Sequence, residues 1–173
     1  MSAQDFFFAD PALASRYVDG PPRFVPGHQD MLRMAAMLLA EDAPADAKVL
    51  VLGAGGGIEL RYFASAHAGW RFTGVDPSAQ MLAVARSTLG ELASRCELIE
   101  GTIDAAPAGP FDAASCLLTL HMIPDDGSKL ATLQAIRSRL HPGAPIVIVD
   151  HCLDRRDPQF DRKLDRYARF ALQ

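Results

Sequence analysis

The chain has 173 residues, enough for one domain, and 49% of them are hydrophobic, which is sufficient to fill a single core. Its 17 basic and 21 acidic residues are intermingled and give a net charge of −4, so no broad positive surface for a nucleic acid backbone is indicated. The first twenty residues show no basic start followed by a long apolar run, which argues against export and membrane insertion and predicts a cytoplasmic protein.

A stretch rich in proline and glycine, residues 20–27, separates a short leading segment from the main body. Beyond it, apolar residues recur at helical spacing until Pro44, which predicts a helix over residues 28–42. We therefore interpret residues 1–44 as an N-terminal helical cap segment and residues 45–173 as an α/β unit with a C-terminal helix, the two forming one structural domain.

A buried strand, a glycine-rich turn and a helix follow in that order. Lys48–Leu52 (KVLVL) is a continuous run of the kind found in strands buried on both faces of a parallel sheet. The turn at residues 53–57 comes directly after it. The next helix has an apolar stripe formed by Leu60, Phe63, Ala64 and His67. Arg71–Val75 is predicted to be a second strand, which completes a βαβ unit.

The alternation of helices and strands continues along the rest of the chain. Ser78 is predicted to cap a helix whose buried face contains Met81, Leu82, Ala85, Leu89 and Leu92. Strands are predicted at 96–99, 111–118 and 145–149, with a helix before the last marked by Leu130, Leu133, Ile136 and Leu140. A terminal amphipathic helix has on one side Phe160, Leu164, Tyr167, Ala168 and Ala171. This order predicts an α/β fold with a doubly wound, mainly parallel sheet.

Two features at the predicted edge of this sheet indicate ligand binding. A glycine-rich turn after a buried strand lets a ligand approach the backbone where no Cβ intervenes. The turn reads G-x-G-x-G, with Ile58 where the dinucleotide fingerprint has its third glycine, so a dehydrogenase is the weakest enzyme interpretation. Asp76 ends the second strand, where a carboxylate can accept hydrogen bonds from both hydroxyls of a ribose. The alternatives are a turn that only packs a helix and an ordinary aspartate at a helix start.

The cysteines and histidines do not have the spacing of a metal site. Cys96, Cys116 and Cys152 lie far apart and form no C-x-x-C pair. The five histidines contain no H-x-x-x-H pair that would place two imidazoles on one helix face. We therefore expect no metal site, and reduced, mostly buried thiols.

Four successive motifs between Lys48 and Val149 resemble those of the class I S-adenosylmethionine-dependent methyltransferases. They are VLVLGAGGG, GVDPS, EGTIDAAP, and FDAASCLLTLHMIPD followed by RLHPGAPIVIVD. The resemblance implies a Rossmann-like sheet, S-adenosylmethionine as cofactor, and a methyltransferase acting on a small-molecule acceptor. Family members usually add two more strands after the fifth, so the sheet predicted for this chain lacks the last two strands.

The resemblance also assigns positions in the cofactor site. It implies contacts to the methionine moiety from Gly53, Ala54 and Gly55, to the ribose from Asp76, and to the adenine from Pro77, Thr102 and Ile103. Leu117 would offer its backbone near the sulfonium. The family usually has an acidic residue at Val51 and often an aspartate at Thr102. Without an acid at position 51, we expect backbone carbonyls of the glycine turn to satisfy the methionine ammonium.

The segment Arg23–His28 (RFVPGH) is similar to one in the carboxy-S-adenosylmethionine synthases of tRNA wobble-uridine modification, which makes that branch the nearest by resemblance. The similarity implies a cofactor contact for His28, and a polar residue that merely starts a helix is the alternative. Leu117 stands where those enzymes have an asparagine, and the region of their carboxylate-binding arginine lies beyond Gln173.

His121, just past the predicted fourth strand, is the candidate for removing a proton from an acceptor, because imidazole titrates near neutral pH. A hydrogen-bonded structural histidine is the alternative. Three functions stay open: a methyltransferase, a carboxy-S-adenosylmethionine synthase-like enzyme, and a noncatalytic S-adenosylmethionine-binding domain.

The predicted fifth strand, residues 145–149, would leave an apolar edge that invites pairing with another chain. We therefore expect either a protein longer than this chain or an edge covered by the terminal helix or by a partner. A homodimer through the sheet edge or the C-terminal helix is one form of the latter.

Overall fold

The structure, a computed structural model, describes residues 20–152, 154 and 156–172. Its helices are α1 (Pro21–Phe24), α2 (His28–Asp42), α3 (Ile58–Ala66), α4 (Ala79–Leu89), α5 (Ser128–Arg137) and α6 (Phe160–Ala171). Its strands are β1 (Lys48–Leu52), β2 (Arg71–Asp76), β3 (Cys96–Glu100), β4 (Ala113–Leu117) and β5 (Ile146–Val149). Short 3-10 helices span Gly90–Arg95, Ile103–Ala105 and Leu120–Met122.

The five strands form one parallel sheet in the order β3-β2-β1-β4-β5. The chain moves outward from β1 to β3 and then returns to place β4 on the other side of β1. In open α/β sheets a ligand binds at the carboxyl ends of the strands where the order reverses, here between β1 and β4. The predicted doubly wound, parallel α/β fold is confirmed.

Both faces of the sheet are covered, and β1 shows this most directly. Val49 and Val51 point into a core shared with α2 and α3, whereas Leu50 and Leu52 point into a second core that includes Ile136 of α5. Successive side chains of a strand alternate between faces, so a strand buried on both sides must be apolar throughout. This explains the uninterrupted hydrophobic run that predicted β1.

Most element boundaries agree with the sequence patterns. Helix α2 and strand β1 have the predicted bounds, and the Ser78 hydroxyl caps α4 by accepting a hydrogen bond from the Met81 N–H at 3.2 Å. The predicted fourth strand, residues 111–118, is too long. Phe111 forms only an isolated bridge to Leu140, and Leu118 leaves the strand with a φ of 52°.

The C-terminal helix does not cover the edge of the sheet. Helix α6 has no buried residue and packs against α1, while Ile146 and Ile148 of β5 are 39% and 41% exposed. In the described part of the chain no strand pairs with the outer edge of β5. The expectation that the terminal helix covers this edge is therefore wrong, and coverage by a partner or by further chain stays a prediction.

The cysteines are less buried than expected, and the N-terminal cap segment is described only in part. All three cysteines are free, but only Cys116 is buried, since Cys96 is half-buried and Cys152 is exposed. Residues 1–19 of the cap segment lie outside the described residues, so the cap is represented by α1 and α2. No helix within the described ranges has the length and apolar character needed to cross a membrane.

Candidate functional site

The glycine-rich turn after β1 is held against the ends of β2 and β4. Gly53, Gly55 and Gly57 have φ values of 79°, 46° and 79°, a region that L-residues with a Cβ rarely adopt. A Cβ on Gly53 would lie 2.0 Å from Oγ1 of Thr119. The Gly53 N–H also donates to the Val75 carbonyl at 2.9 Å. The sequence therefore needs glycine here both for backbone geometry and for close packing.

Asp76, at the end of β2, turns its carboxylate toward this turn. Oδ2 accepts a hydrogen bond from the Gly55 N–H at 2.8 Å, and Oδ1 accepts one from the Ser78 N–H at 2.9 Å. The residue is 9% exposed, and burial raises the pKa of its carboxyl group while the two backbone donors oppose that rise. Each oxygen retains a lone pair, so the carboxylate can accept from ribose hydroxyls beside the turn.

A cleft opens beside the turn, between the cap segment and the carboxyl ends of β1 and β4. Five of the residues predicted for the cofactor site line it together: His28, Gly53, Ala54, Gly55 and Leu117. The other residues that line it are Pro21, Met31, Leu32, Gly56, Ile58, Glu59 and Leu118. His28 is 7% exposed at the start of α2, and burial lowers the pKa of its imidazole. The structure thus brings the cap segment onto the glycine turn.

The residues predicted to contact adenine lie beyond the ends of β2 and β3 and not among the residues lining this cleft. A hydrogen bond from the Gly101 N–H to the Asp76 carbonyl, 3.0 Å long, holds the two strand ends together. Pro77 and Thr102 are exposed there, whereas Ile103 is 5% exposed and belongs to the hydrophobic core. Their adenine contacts stay a prediction, and Ile103 has little surface to offer.

His121 follows β4 and is joined to an acidic partner that the sequence patterns did not indicate. Its Nδ1 lies 2.6 Å from Oδ1 of Asp150, and its backbone N–H donates to Oδ2 of the same carboxylate at 2.9 Å. The imidazole side chain is 32% exposed and the carboxylate side chain 12%. The ring of His151 packs edge-on against His121, and Tyr167 of α6 packs edge-on against His151. His121 is absent from the cleft lining but follows Leu117 and Leu118, which are part of it.

Among the cleft residues that sequence reasoning missed, Glu59 and Leu118 stand out by their chemistry and backbone geometry. Glu59 is buried in the second position of α3, and its carboxylate accepts a hydrogen bond from the Ser115 hydroxyl. Burial raises the pKa of Glu59 to about 8 even though that hydrogen bond favours the charged form. The sequence feature that could have indicated a buried Glu59 is its position four residues before Phe63, on the apolar face of α3. Leu118 has a left-handed backbone, a strained state often found at functional sites, and nothing in the sequence indicated it.

Comparison with known proteins identifies the family. The sequence profile of the methyltransferase domain matches residues 50–146, more than half of the chain. The ubiquinone biosynthesis O-methyltransferase of Vibrio parahaemolyticus is 32% identical over 138 residues, covering 78% of this chain and 57% of that protein. The enzyme of the same name from Idiomarina loihiensis is 35% identical over 140 residues, covering 78% and 55%. The chain therefore spans little more than half the length of these curated relatives.

Solved structures agree with this assignment. An amino pentose methyltransferase from Micromonospora echinaspora, solved with S-adenosylmethionine bound, superposes with a TM-score of 0.63 at 25% identity, covering 73% of this chain and 52% of that one. An O-methyltransferase family protein from Burkholderia thailandensis has a TM-score of 0.73 at 19% identity, covering 94% and 48%, which shows the shared fold. The strand order, the glycine turn facing Asp76 and these matches together make the chain a member of the class I S-adenosylmethionine-dependent methyltransferases.

Proposed function

We propose that the protein transfers the methyl group of S-adenosylmethionine to a hydroxyl group of a small-molecule acceptor, with His121 as the general base. The observation that carries this proposal is the His121–Asp150 pair, in which His121 follows the cleft-lining residues Leu117 and Leu118 by a few positions in the chain. A domain that only bound the cofactor would have no use for an oriented base at this position.

The site fits S-adenosylmethionine in its chemistry. Asp76 would accept hydrogen bonds from the ribose, and the backbone of Gly53 and Gly55, free of side chains, would lie against the methionine portion. When bound, the cofactor supplies a methyl group on a sulfonium, whose leaving group is already activated. The protein must then mainly align the acceptor, exclude water and remove one proton.

The geometry of the pair suits proton removal from a hydroxyl. In the tautomer that donates from Nδ1 of His121 to Asp150, Nε2 has a free lone pair. The second carboxylate oxygen of Asp150 accepts a hydrogen bond from the backbone N–H of His121, so the imidazole and the carboxylate keep one relative orientation. Nε2 would accept the proton of the acceptor hydroxyl, and the carboxylate would stabilise the imidazolium that forms.

The comparisons support a hydroxyl acceptor, because the curated relatives named above are O-methyltransferases. A carboxy-S-adenosylmethionine synthase-like activity is a second candidate, supported by the position of His28 in the cleft. The mass of the cofactor that copurifies with the protein separates the two, since a carboxylated sulfonium is heavier than S-adenosylmethionine.

The proposed reaction can be tested with two histidine variants. The purified protein is incubated with S-adenosylmethionine and a panel of small phenols, catechols and hydroxy acids, and mass spectrometry detects methylated products. We expect His121→Gln to lower kcat roughly 100- to 10,000-fold, the usual contribution of a general base, without weakening S-adenosylhomocysteine binding. His141→Gln is the matched control, since His141 also faces an aspartate, Asp112, with 3.8 Å between Nε2 and Oδ1, but at the amino end of β4.

Equal activities of the two variants would show that His121 is structural. Asp150→Asn should reproduce most of the loss and shift the pH dependence of kcat, because the amide no longer stabilises the imidazolium. Binding of S-adenosylhomocysteine without turnover of any acceptor in the panel would instead contradict the proposed acceptor class.

A further inference from the structure

Glu59 is a buried carboxylate with one neutral partner. It is 8% exposed, it lines the cleft beside the glycine turn, and its carboxylate accepts a hydrogen bond from the Ser115 hydroxyl. Among the residues that the structure describes, none forms an ion pair with it. Asp76, by comparison, accepts from two backbone N–H groups. A buried charge with so little support is costly unless a cation completes it.

The position of Glu59 indicates which kind of cation. Ser115 of β4 is in register with Val51 of β1, so the carboxylate of Glu59 lies over the centre of the sheet, beside the position that an acidic residue at 51 would occupy. Gly55 lines the same cleft as Glu59, and its N–H donates to the carboxylate of Asp76. Two acidic groups thus lie near the turn: Asp76, which is suited to a diol, and Glu59, which has no cationic partner among the described residues.

We propose that Glu59 binds the α-ammonium group of the methionine moiety, so that helix α3 supplies the acidic partner that strand β1 lacks at Val51. This inference rests on S-adenosylmethionine being the cofactor, as in the proposed function. It replaces the expectation that backbone carbonyls of the turn alone satisfy the ammonium. A cation beside Glu59 also removes the reason for the carboxyl group to hold a proton, so ligand binding releases that proton.

Calorimetric titration of the intact protein tests this with three ligands. S-adenosylhomocysteine has the ammonium but no sulfonium, S-adenosylmethionine has both, and 5′-methylthioadenosine has neither. We expect Glu59→Gln to weaken binding of the first two roughly 10- to 100-fold, the loss typical of a hydrogen bond between charged groups, and to leave 5′-methylthioadenosine binding unchanged. Ser115→Ala is the matched control, since it removes the hydrogen-bond partner but keeps the carboxylate, and it should retain the preference for the two amino acid-containing ligands.

Proton release is a second readout that needs no variant. With a pKa of about 8, Glu59 is mostly protonated at pH 7, so binding of S-adenosylhomocysteine should release close to one proton, measured in two buffers of different ionisation enthalpy. The Glu59→Gln variant should release none, and 5′-methylthioadenosine should release none from either protein.

Each other outcome overturns the inference in a recognisable way. Loss of affinity for S-adenosylmethionine alone would assign Glu59 to the sulfonium, and equal weakening of all three ligands would make its role structural. Unchanged S-adenosylhomocysteine affinity in Glu59→Gln would remove the role entirely. Failure of the wild-type protein to bind any of the three ligands would refute the cofactor itself, and with it the proposed function. Loss of methyl transfer in His121→Gln has no bearing on these titrations.

Discussion

Replacement of Asp76 by asparagine tests the ribose site at the level of single atoms. The carboxylate accepts from the N–H groups of Gly55 and Ser78 at 2.8 Å and 2.9 Å, so it joins the glycine turn to the start of α4. Asparagine has nearly the same shape but only one acceptor oxygen, and one of the two N–H groups would face an amide NH2. It would also offer a ribose hydroxyl no anionic acceptor.

Two opposing effects set the change in folding stability of this variant. Leaving a buried N–H without its charged acceptor costs about 1 to 3 kcal/mol. Burial raises the pKa of Asp76, so removing the charge also relieves part of a desolvation cost. We expect the free energy of unfolding to fall by about 1 to 2 kcal/mol, which lowers Tm by roughly 2–8 °C for a chain of this length.

Ligand affinity should fall further than stability. Hydrogen bonds to a charged acceptor contribute about 1.5 to 3 kcal/mol, so we expect S-adenosylhomocysteine to bind Asp76→Asn roughly 10- to 150-fold more weakly in calorimetric titration. Ser78→Ala is the control, because it removes the α4 cap at a cost of about 1 kcal/mol but keeps the Asp76 carboxylate. If both variants bind S-adenosylhomocysteine with equal affinity, Asp76 only stabilises the conformation of the glycine turn, and the ribose assignment is wrong.

Two further substitutions test the electrostatics of the fold. Because the folded-state pKa of Glu59 is about 8 against an ordinary 4.5, the stability contributed by its proton is complete below about pH 4.5 and is lost as pH rises through about 8. Glu59→Gln should therefore gain Tm relative to the wild type as pH rises from about 4.5 to about 8 in thermal unfolding, and a difference that stays constant over this range would contradict the buried-charge argument. Arg95 donates to the carbonyls of Ala64, His67 and Trp70, so Arg95→Met should lose about 2 to 3 kcal/mol of stability, or roughly 4–12 °C of Tm by calorimetry, with ligand affinity unchanged. Loss of affinity without loss of stability in Arg95→Met would show a role at the site.

Local patterns were enough to predict the half of the site built around β1 and β2. The apolar run of β1, the glycine turn and the Ser78 cap each depend on residues only a few positions apart, and each is where it was predicted. Asp76 was placed by its position at the end of the second strand, and its carboxylate faces the turn. In these cases the backbone geometry itself requires the residue type, so one sequence is sufficient to find it.

Contacts between distant segments could not be predicted in the same way. His121 and Asp150 are 29 residues apart and meet only because β4 and β5 are adjacent in the sheet. Glu59 and Ser115 are 56 residues apart, and their contact depends on the packing of α3 over β4. The fourth strand was predicted too long because Phe111 is apolar, yet its burial comes from the second hydrophobic core. The spacing of apolar residues predicts that a residue is buried, but it does not indicate which element packs against it.

The two carboxylates near the turn differ in their hydrogen-bond partners, and this difference also bears on ligand choice. Two backbone N–H groups favour the anionic form of Asp76 and oppose the rise in its pKa that burial causes, whereas Glu59 accepts from one hydroxyl and has a pKa of about 8. A dinucleotide would bring a diphosphate onto the glycine turn, and this anion would give Glu59 no cationic partner and would oppose its ionisation further. A ligand with a diol at one end and an ammonium at the other lowers the energy of both groups. If Glu59 binds the ammonium group as proposed, this buried residue discriminates between the two ligand classes that share the fold, together with the missing third glycine at Ile58.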